Sequence, residues 1–332
     1  MLFLHSSFMM LVMVSLLLST IMALSSANWV LMWAALELNL LSFIPIMMQS
    51  WSHQETEGSV KYFLAQALGS SLLLMSSMAL WSPVFPFPKF MAIALATSLL
   101  LKLGSVPCHF WYPSVMASVS WSSCLILSTW QKLAPLSILA FVAPLKYSSL
   151  MMSIAGINAL LGGIMGMNQT QVRTIMAYSS IGHIGWMISL IALYKPNTSI
   201  MYFMIYSMLI LPIFIALNHY NIMTTKQLNK MASMTLMSLT VLLMSLGGLP
   251  PLTGFIPKLM VLSILVESMN PMSLILILGS LMNLYFYLNI TVNIMFSNLP
   301  LKYSLSKSQS SMTPALLTLA TLSLGLSPLV IM

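Results

Sequence analysis

Leu246-Gly247-Gly248-Leu249-Pro250-Pro251-Leu252-Thr253-Gly254-Phe255-Ile256-Pro257-Lys258 lies within an apolar run that extends from Ser233 to Ser268. Proline lacks a backbone donor, and its ring clashes with the preceding turn, so adjacent prolines among three glycines cannot continue a regular helix. Split at this point, each flank has only about 15 residues, or ~22 Å at the helical rise, which is short of a bilayer's hydrocarbon core. The run therefore predicts one interrupted membrane crossing rather than two helices joined by a surface loop. Backbone without helical partners at membrane depth is tolerated only where protein or a wet cavity surrounds it. A break of this kind, with Lys258 directly after it, points to a buried path for ions or protons.

The same feature occurs once more, in Leu99-Leu100-Leu101-Lys102-Leu103-Gly104-Ser105-Val106-Pro107 followed by Cys108-His109-Phe110-Trp111. On the scale of about 20 apolar residues per crossing, the chain divides into eleven segments. These are Leu2–Leu24, Trp29–Gln49, Ser59–Trp81, Phe90–Ala117, Val119–Ala143, Ser148–Met167, Thr174–Leu193, Ser199–Asn221, Ser233–Ser268, Met272–Phe296 and Met312–Ile331. The interrupted segments are the fourth of the first five and the fourth of the next five. Breaks at matching places in two halves are the pattern of an inverted repeat, and an odd number of crossings inverts the second copy. The expected fold is an all-α polytopic membrane protein with an antiporter-like inverted repeat. Residues 1–147 and 148–297 form the two five-helix halves, and 298–332 supply a loop and a C-terminal helix.

Composition agrees with one integral membrane domain. Hydrophobic residues make up 59% of the 332, only 16 are charged, and aspartate is absent. The net charge of +8 is scattered rather than clustered, which gives no support to nucleic-acid binding. Cys108 and Cys124 are the only cysteines; they predict no structural disulfide, and without paired histidines they cannot hold a metal cluster. The apolar N-terminus has no basic region before it, and we read it as a retained first helix rather than a signal peptide. Methionine, at 33 residues, replaces leucine throughout, a habit of mitochondrially encoded membrane proteins. Trp29, Trp51, Trp81, Trp111, Tyr147 and Tyr194 fall near segment ends, as in interfacial belts. Gly162 and Gly166 form a small-xxx-small pair suited to close helix packing.

Loops after even-numbered segments carry Arg173, Lys226, Lys230, Lys302 and Lys307, and those after odd-numbered segments carry Lys89, Lys146 and Lys195. The positive-inside rule then places the N-terminus on the positive, matrix-like side and the C-terminus opposite.

Four charges remain at depth: Glu37, Lys102, Lys132 and Lys258. A lysine at a membrane helix centre costs roughly 2.5–3.5 kcal/mol on insertion scales, so their retention argues for use. Lys132 follows Trp130-Gln131 in the middle of its segment, where Ala134-Pro135 is expected to kink the helix. Moving a carboxylate toward or away from a buried lysine changes how firmly the lysine holds its proton. The bland alternatives are snorkelling of each lysine to an interface and, for Glu37, a static ion pair between helices. His183, in a polar stripe of segment seven, could relay protons or simply be a hydrogen-bonded packing residue. Arg173 reads as an anchor at that segment's start.

Trp33-Ala34-Ala35-Leu36-Glu37-Leu38-Asn39-Leu40-Leu41-Ser42-Phe43-Ile44-Pro45, Lys61-Tyr62-Phe63-Leu64 and Leu101-Lys102-Leu103-Gly104 with Pro107-Cys108-His109-Phe110-Trp111 resemble one known family. So do Thr129-Trp130-Gln131-Lys132-Leu133-Ala134-Pro135, Met176-Ala177-Tyr178-Ser179-Ser180, and Leu246 to Pro251 continued through Lys258. The family is that of the antiporter-like, proton-pumping membrane subunits of respiratory complex I, and the likeness covers about residues 29 to 260. Cys108 departs from it, since many relatives have phenylalanine there.

The resemblance implies proton translocation across the inner mitochondrial membrane, coupled to NADH oxidation and ubiquinone reduction by other subunits. It assigns Glu37 and Lys102 as a coupled pair, Lys132 as central relay and Lys258 as the lysine of the second half. It also fits an N-terminus in the matrix, because animal members lack three N-terminal helices of bacterial relatives. The implied partners are other complex I membrane subunits, among them chain 4 and chain 4L, accessory subunits, and phospholipid such as cardiolipin. No cofactor is expected on this chain, which carries no motif for NADH, flavin, iron–sulfur cluster or quinone. Two rival readings are a redox-independent cation/proton antiporter subunit and a spacer that only transmits strain.

Overall fold

The computed structural model describes residues 2–50, 52–82, 87–142, 148–268 and 271–297, and they are all-helical apart from turns and loops. Eight stretches are long and apolar enough to cross a membrane: Ser7–Ser25, Trp29–Met47, His53–Trp81, Trp121–Val142, Ser148–Met167, Val172–Ala192, Pro196–His219 and Met272–Phe296. The chain is thus a multi-pass membrane protein. Segment eleven, Trp51, Tyr147, Lys146, Lys302 and Lys307 lie outside the described residues.

The chain divides into two compact units, Met1–Met151 with Ile191–Pro196, and Met152–Leu190 with Asn197–Met332. The first contains α1 (Leu2–Ser25), α2 (Trp29–Met47), α3 (His53–Trp81), α4 (Pro88–Leu103), α5 (Trp111–Ser118), α6 (Trp121–Ser128) and α7 (Trp130–Val142). In it α3 packs against α2, α4 and α5, while α7 packs against α1, α4 and α6. The second contains the bulk of α8 (Ser148–Met167), α9 (Val172–Ala192), α10 (Pro196–His219), α11 (Ser233–Gly247), α12 (Phe255–Glu267) and α13 (Met272–Ser297). There α13 packs against α11 and α12.

Helix α3 shows how a membrane sequence sorts its residues. Its buried stripe includes Ser59, Tyr62, Gln66, Gly69 and Ser70, while Val60, Phe63, Leu64, Leu68, Leu72 and Met75 are exposed. Apolar side chains face outward because the surrounding solvent is hydrocarbon, and small or polar ones hold helices together. The helix starts at His53 rather than at Ser59, because Ser52 accepts the Glu55 N–H as an N-cap. The Glu55 carboxylate in turn accepts the Ser50 N–H at 2.9 Å.

Both interruptions fall where the sequence predicts them, and they share one local device. Helix α4 ends on Gly104 at φ 69°; the Gly104 N–H donates to the Leu101 carbonyl and the Ser105 N–H to that of Leu100, each at 3.0 Å. Helix α11 ends on Gly248 at φ 83°, with N–H groups of Gly248 and Leu249 donating to the carbonyls of Ser245 and Met244. This is the Schellman stop, which uses a left-handed residue to satisfy the last carbonyls of a helix. Glycine alone takes that conformation without steric cost.

One expectation is corrected. Segment five breaks at Thr129, between α6 and α7, and Pro135 sits inside α7. A proline acts on the carbonyl four residues back, here that of Gln131 within α7, so the break at Thr129 lies beyond its reach. Trp111, half-buried, donates its indole N–H to the Leu101 carbonyl at 3.1 Å. That bond serves a carbonyl left short of helical donors by the break.

Candidate functional site

In the first unit, α2, α3, α4 and α7 surround a set of polar groups. Glu37 lies in mid-α2, half-buried, and its carboxylate accepts the Ser70 hydroxyl of α3. Lys102, 5% exposed, occupies the last turn of α4, where the helix dipole favours a cation. Gly69 makes room for it: a Cβ there would stand 3.1 Å from Lys102 Cγ. The Lys102 carbonyl accepts Gln66 Nε2 at 3.2 Å. Glu37 and Lys102 form no ion pair within 4.0 Å; among the described residues only Lys61 and Glu57 do.

A second layer joins α2 to α7. Gln131 Nε2 donates to Asn39 Oδ1 at 2.9 Å, and the Tyr62 hydroxyl donates to Gln131 Oε1 at 3.3 Å. Asn39, Tyr62, Gln66, Lys102 and Gln131 line a cavity of about 10 Å³. That is close to the smallest space that holds one water molecule, and its lining offers donors and acceptors.

Lys132, the next residue in α7, is 3% exposed and its ammonium has no hydrogen-bond partner among the described residues. It lies over the ring of Tyr112 in α5, 4.4 Å from the centroid. Tyr112 in turn packs on Gly104, where a Cβ would come 2.8 Å from Tyr112 Cβ. The first break thus fixes the ring that faces Lys132.

In the second unit Lys258, 5% exposed, reaches back across the other break. Its ammonium donates to the carbonyls of Gly247 at 2.7 Å and Leu246 at 3.3 Å, which cap the C-terminal end of α11. A cation there meets the negative end of the helix dipole as well as two free carbonyl lone pairs. His183 of α9, 4% exposed, pairs through Nδ1 with the Tyr202 hydroxyl of α10 at 2.9 Å. With Tyr206, Leu246, Gly254 and Pro257 these two line another cavity of about 10 Å³. His109, buried beside the first break, packs against Phe110 with ring centroids 4.2 Å apart. Arg173 is buried at the start of α9, with Nη2 donating to Met223 Sδ at 2.7 Å.

Glu37, Lys102 and Lys132 therefore share the first unit, while Lys258 and His183 belong to the second. None of the three lysines snorkels. The partners Ser70, Gln66, Asn39, Gln131 and Tyr112 were not singled out as functional in the sequence. Tyr62, Gln66 and Ser70 carry a readable signal, because positions i, i+4 and i+8 share one helix face. Among the described residues Cys108 and Cys124 form no disulfide, and no three His, Cys, Asp or Glu side chains come together to hold a metal ion.

Residues 26–84 and 86–284 match the family described as NADH:quinone oxidoreductase/Mrp antiporter, TM. NADH-ubiquinone oxidoreductase chain 2 of Lumbricus terrestris is 58% identical over 337 aligned positions that cover 99% of each chain. The chain 2 of Oryctolagus cuniculus is 38% identical, covering 96% of this chain and 97% of that one. A chain of respiratory complex I from Thermus thermophilus superposes with a TM-score of 0.82 at 22% identity, over 97% of this chain and 78% of the other. A chain of the Mrp complex from Dietzia sp. DQ12-45-1b gives 0.82 at 16% identity, over 96% and 74%. At such identities these two share the fold.

Proposed function

The chain belongs to the NADH:quinone oxidoreductase/Mrp antiporter membrane family, among the chain 2 subunits of NADH-ubiquinone oxidoreductase, and from that premise we propose that its buried charges carry protons. It is a proton-translocating subunit of the membrane arm of respiratory complex I, in the inner mitochondrial membrane, with other complex I subunits as partners.

Protons are held and passed by Glu37, Lys102 and Lys132 in the first unit and by Lys258, with His183, in the second. The observation that carries this reading is Lys132: a buried ammonium with no hydrogen-bond partner among the described residues, held over the Tyr112 ring. A lysine kept for structure would be paired, because an unpaired buried charge is costly. Lys102 and Lys258 support it from their places at the two helix breaks. The chemistry is transfer between neutral and protonated amines, with Glu37 altering how firmly Lys102 holds its proton.

The finer architecture follows the same reading. Eight long apolar crossings, one of them broken at Thr129, and two interrupted ones, α4 with α5 and α11 with α12, make ten among the described residues. The sequence assigns an eleventh to the segment at 312–331, outside the described residues, after inverted halves at 1–147 and 148–297. The N-terminus faces the matrix and the C-terminus the intermembrane space, as the loop lysines favour. Chain 4 and chain 4L, accessory subunits and phospholipid, including cardiolipin, are the neighbours, and redox cofactors reside on other subunits.

Replacing Lys132 by methionine in the assembled complex tests the reading. NADH-driven proton translocation into vesicles should fall while the complex still assembles. Unchanged translocation in an assembled K132M complex would remove the relay role.

A further inference from the structure

Glu37 and Lys102 form no ion pair, and α3 packs against the helices of both, with two adjacent residues that explain the gap. Gly69 accepts the stem of Lys102, where a Cβ would come within 3.1 Å of Lys102 Cγ. Ser70, 1% exposed, donates its hydroxyl to the Glu37 carboxylate. The same Oγ lies 2.8 Å from the Ala67 carbonyl, one turn back in α3. A hydroxyl has a single proton and can donate to one of these oxygens at a time.

We infer that Ser70 is a positioning residue for proton transfer at Glu37, holding the carboxyl group away from Lys102 and bonding it in both its charged and its neutral form. When Glu37 is ionised, the Ser70 O–H donates to it. When Glu37 takes up a proton, its own O–H donates to Ser70 Oγ and the Ser70 proton turns to the Ala67 carbonyl. No bond to Ser70 is made or broken, and the hydroxyl keeps its proton throughout. The carboxyl group therefore cycles in place, without swinging into a direct ion pair that would lock the Lys102 proton in a low-dielectric site. Alanine at this position leaves the ionised carboxylate without its donor, and Lys102, against Gly69 of the same helix, is a cation that could take its place.

The inference rests on the reading of Glu37 and Lys102 as proton carriers, and one experiment separates the two. Glu37→Gln, Ser70→Ala and Ser70→Thr are compared in whole complex I reconstituted into vesicles. The readouts are protons moved per NADH oxidised and the C=O stretching band that Glu37→Gln removes from redox-difference infrared spectra. Ser70→Ala should lower the proton yield and shift the band; Ser70→Thr, which keeps the hydroxyl, should restore both. A Ser70→Ala complex with wild-type yield and an unshifted band overturns the role of Ser70, even if Glu37→Gln abolishes pumping. Wild-type pumping by Glu37→Gln instead removes Glu37 from the path and this inference with it. If the alanine variant does not assemble, Ser70→Cys takes its place, because a thiol is a weak donor of similar size. An unshifted band in that variant is again the overturning result.

Discussion

Lys132 Nζ stands 4.4 Å from the centroid of the Tyr112 ring and has no hydrogen-bond partner among the described residues, so the aromatic face is the attraction it meets there. A desolvated cation–π contact is worth roughly 2 kcal/mol. Tyr112→Phe keeps the face and should preserve proton translocation by the assembled complex. Tyr112→Leu keeps much of the volume without the quadrupole and should lower translocation several-fold. Equal rates for the two variants would show that the ring only fills space.

Gly248 gives a sharper test, because its neighbour serves as the control. A Cβ at Gly248 would lie 2.7 Å from Lys258 Nζ and 2.8 Å from its Cδ, in a backbone at φ 83°. An L-residue pays about 1–2 kcal/mol for left-handed geometry, and the contact would also lift the ammonium from the Gly247 carbonyl. Gly247 is helical, and a Cβ there meets nothing closer than 3.6 Å. Gly248→Ala should reduce both assembly and pumping, whereas Gly247→Ala should leave both near wild type. Activity and complex yield on a native gel decide it, and a harmless Gly248→Ala would show that the cap is dispensable.

The fold was legible where sequence acts locally. Glycine and proline announced both helix breaks, and long apolar runs announced the crossings, because each effect depends on a few neighbouring residues. The depth of Lys102, Lys132 and Lys258 was legible for the same reason. Their partners were not. Lys258 is held by backbone carbonyls, which leave no mark in a sequence, and Lys132 by a ring twenty residues away in α5. Ser70 was hidden differently: hydropathy averaged over α3 conceals a polar stripe every fourth residue. The break at Thr129 escaped because neither glycine nor proline marks it in the sequence.

His183 Nδ1 and the Tyr202 hydroxyl, 2.9 Å apart, fix which ring nitrogen is committed to a partner. Tyr202→Phe removes that bond while keeping the ring. If His183 relays protons, Tyr202→Phe should slow pumping and His183→Gln should do so at least as strongly, with assembly of both preserved. If His183 only packs, His183→Gln should lower the thermal midpoint of the complex without changing protons moved per NADH.

The last prediction concerns packing in the second unit, where Gly162 and Gly166 were expected to bring helices close. A Cβ at Gly162 would fall 2.7 Å from both Gly182 N and the Tyr178 carbonyl, on the backbone of α9. Backbone of a packed helix cannot turn aside as a side chain can, so α8 and α9 would have to separate. A Cβ at Gly156 of α8 would meet Ile275 Cγ2 at 3.1 Å and Met272 Sδ at 3.3 Å, looser contacts and with side chains rather than backbone. Overpacking typically costs 1–3 kcal/mol, and the upper part of that range belongs where the obstacle is backbone. Gly162→Ala should therefore lower the thermal midpoint of the assembled complex distinctly more than Gly156→Ala, with proton translocation unaffected in whatever complex remains. Equal shifts would mean that α8 and α9 can part at little cost, and that the small residues do not set their separation.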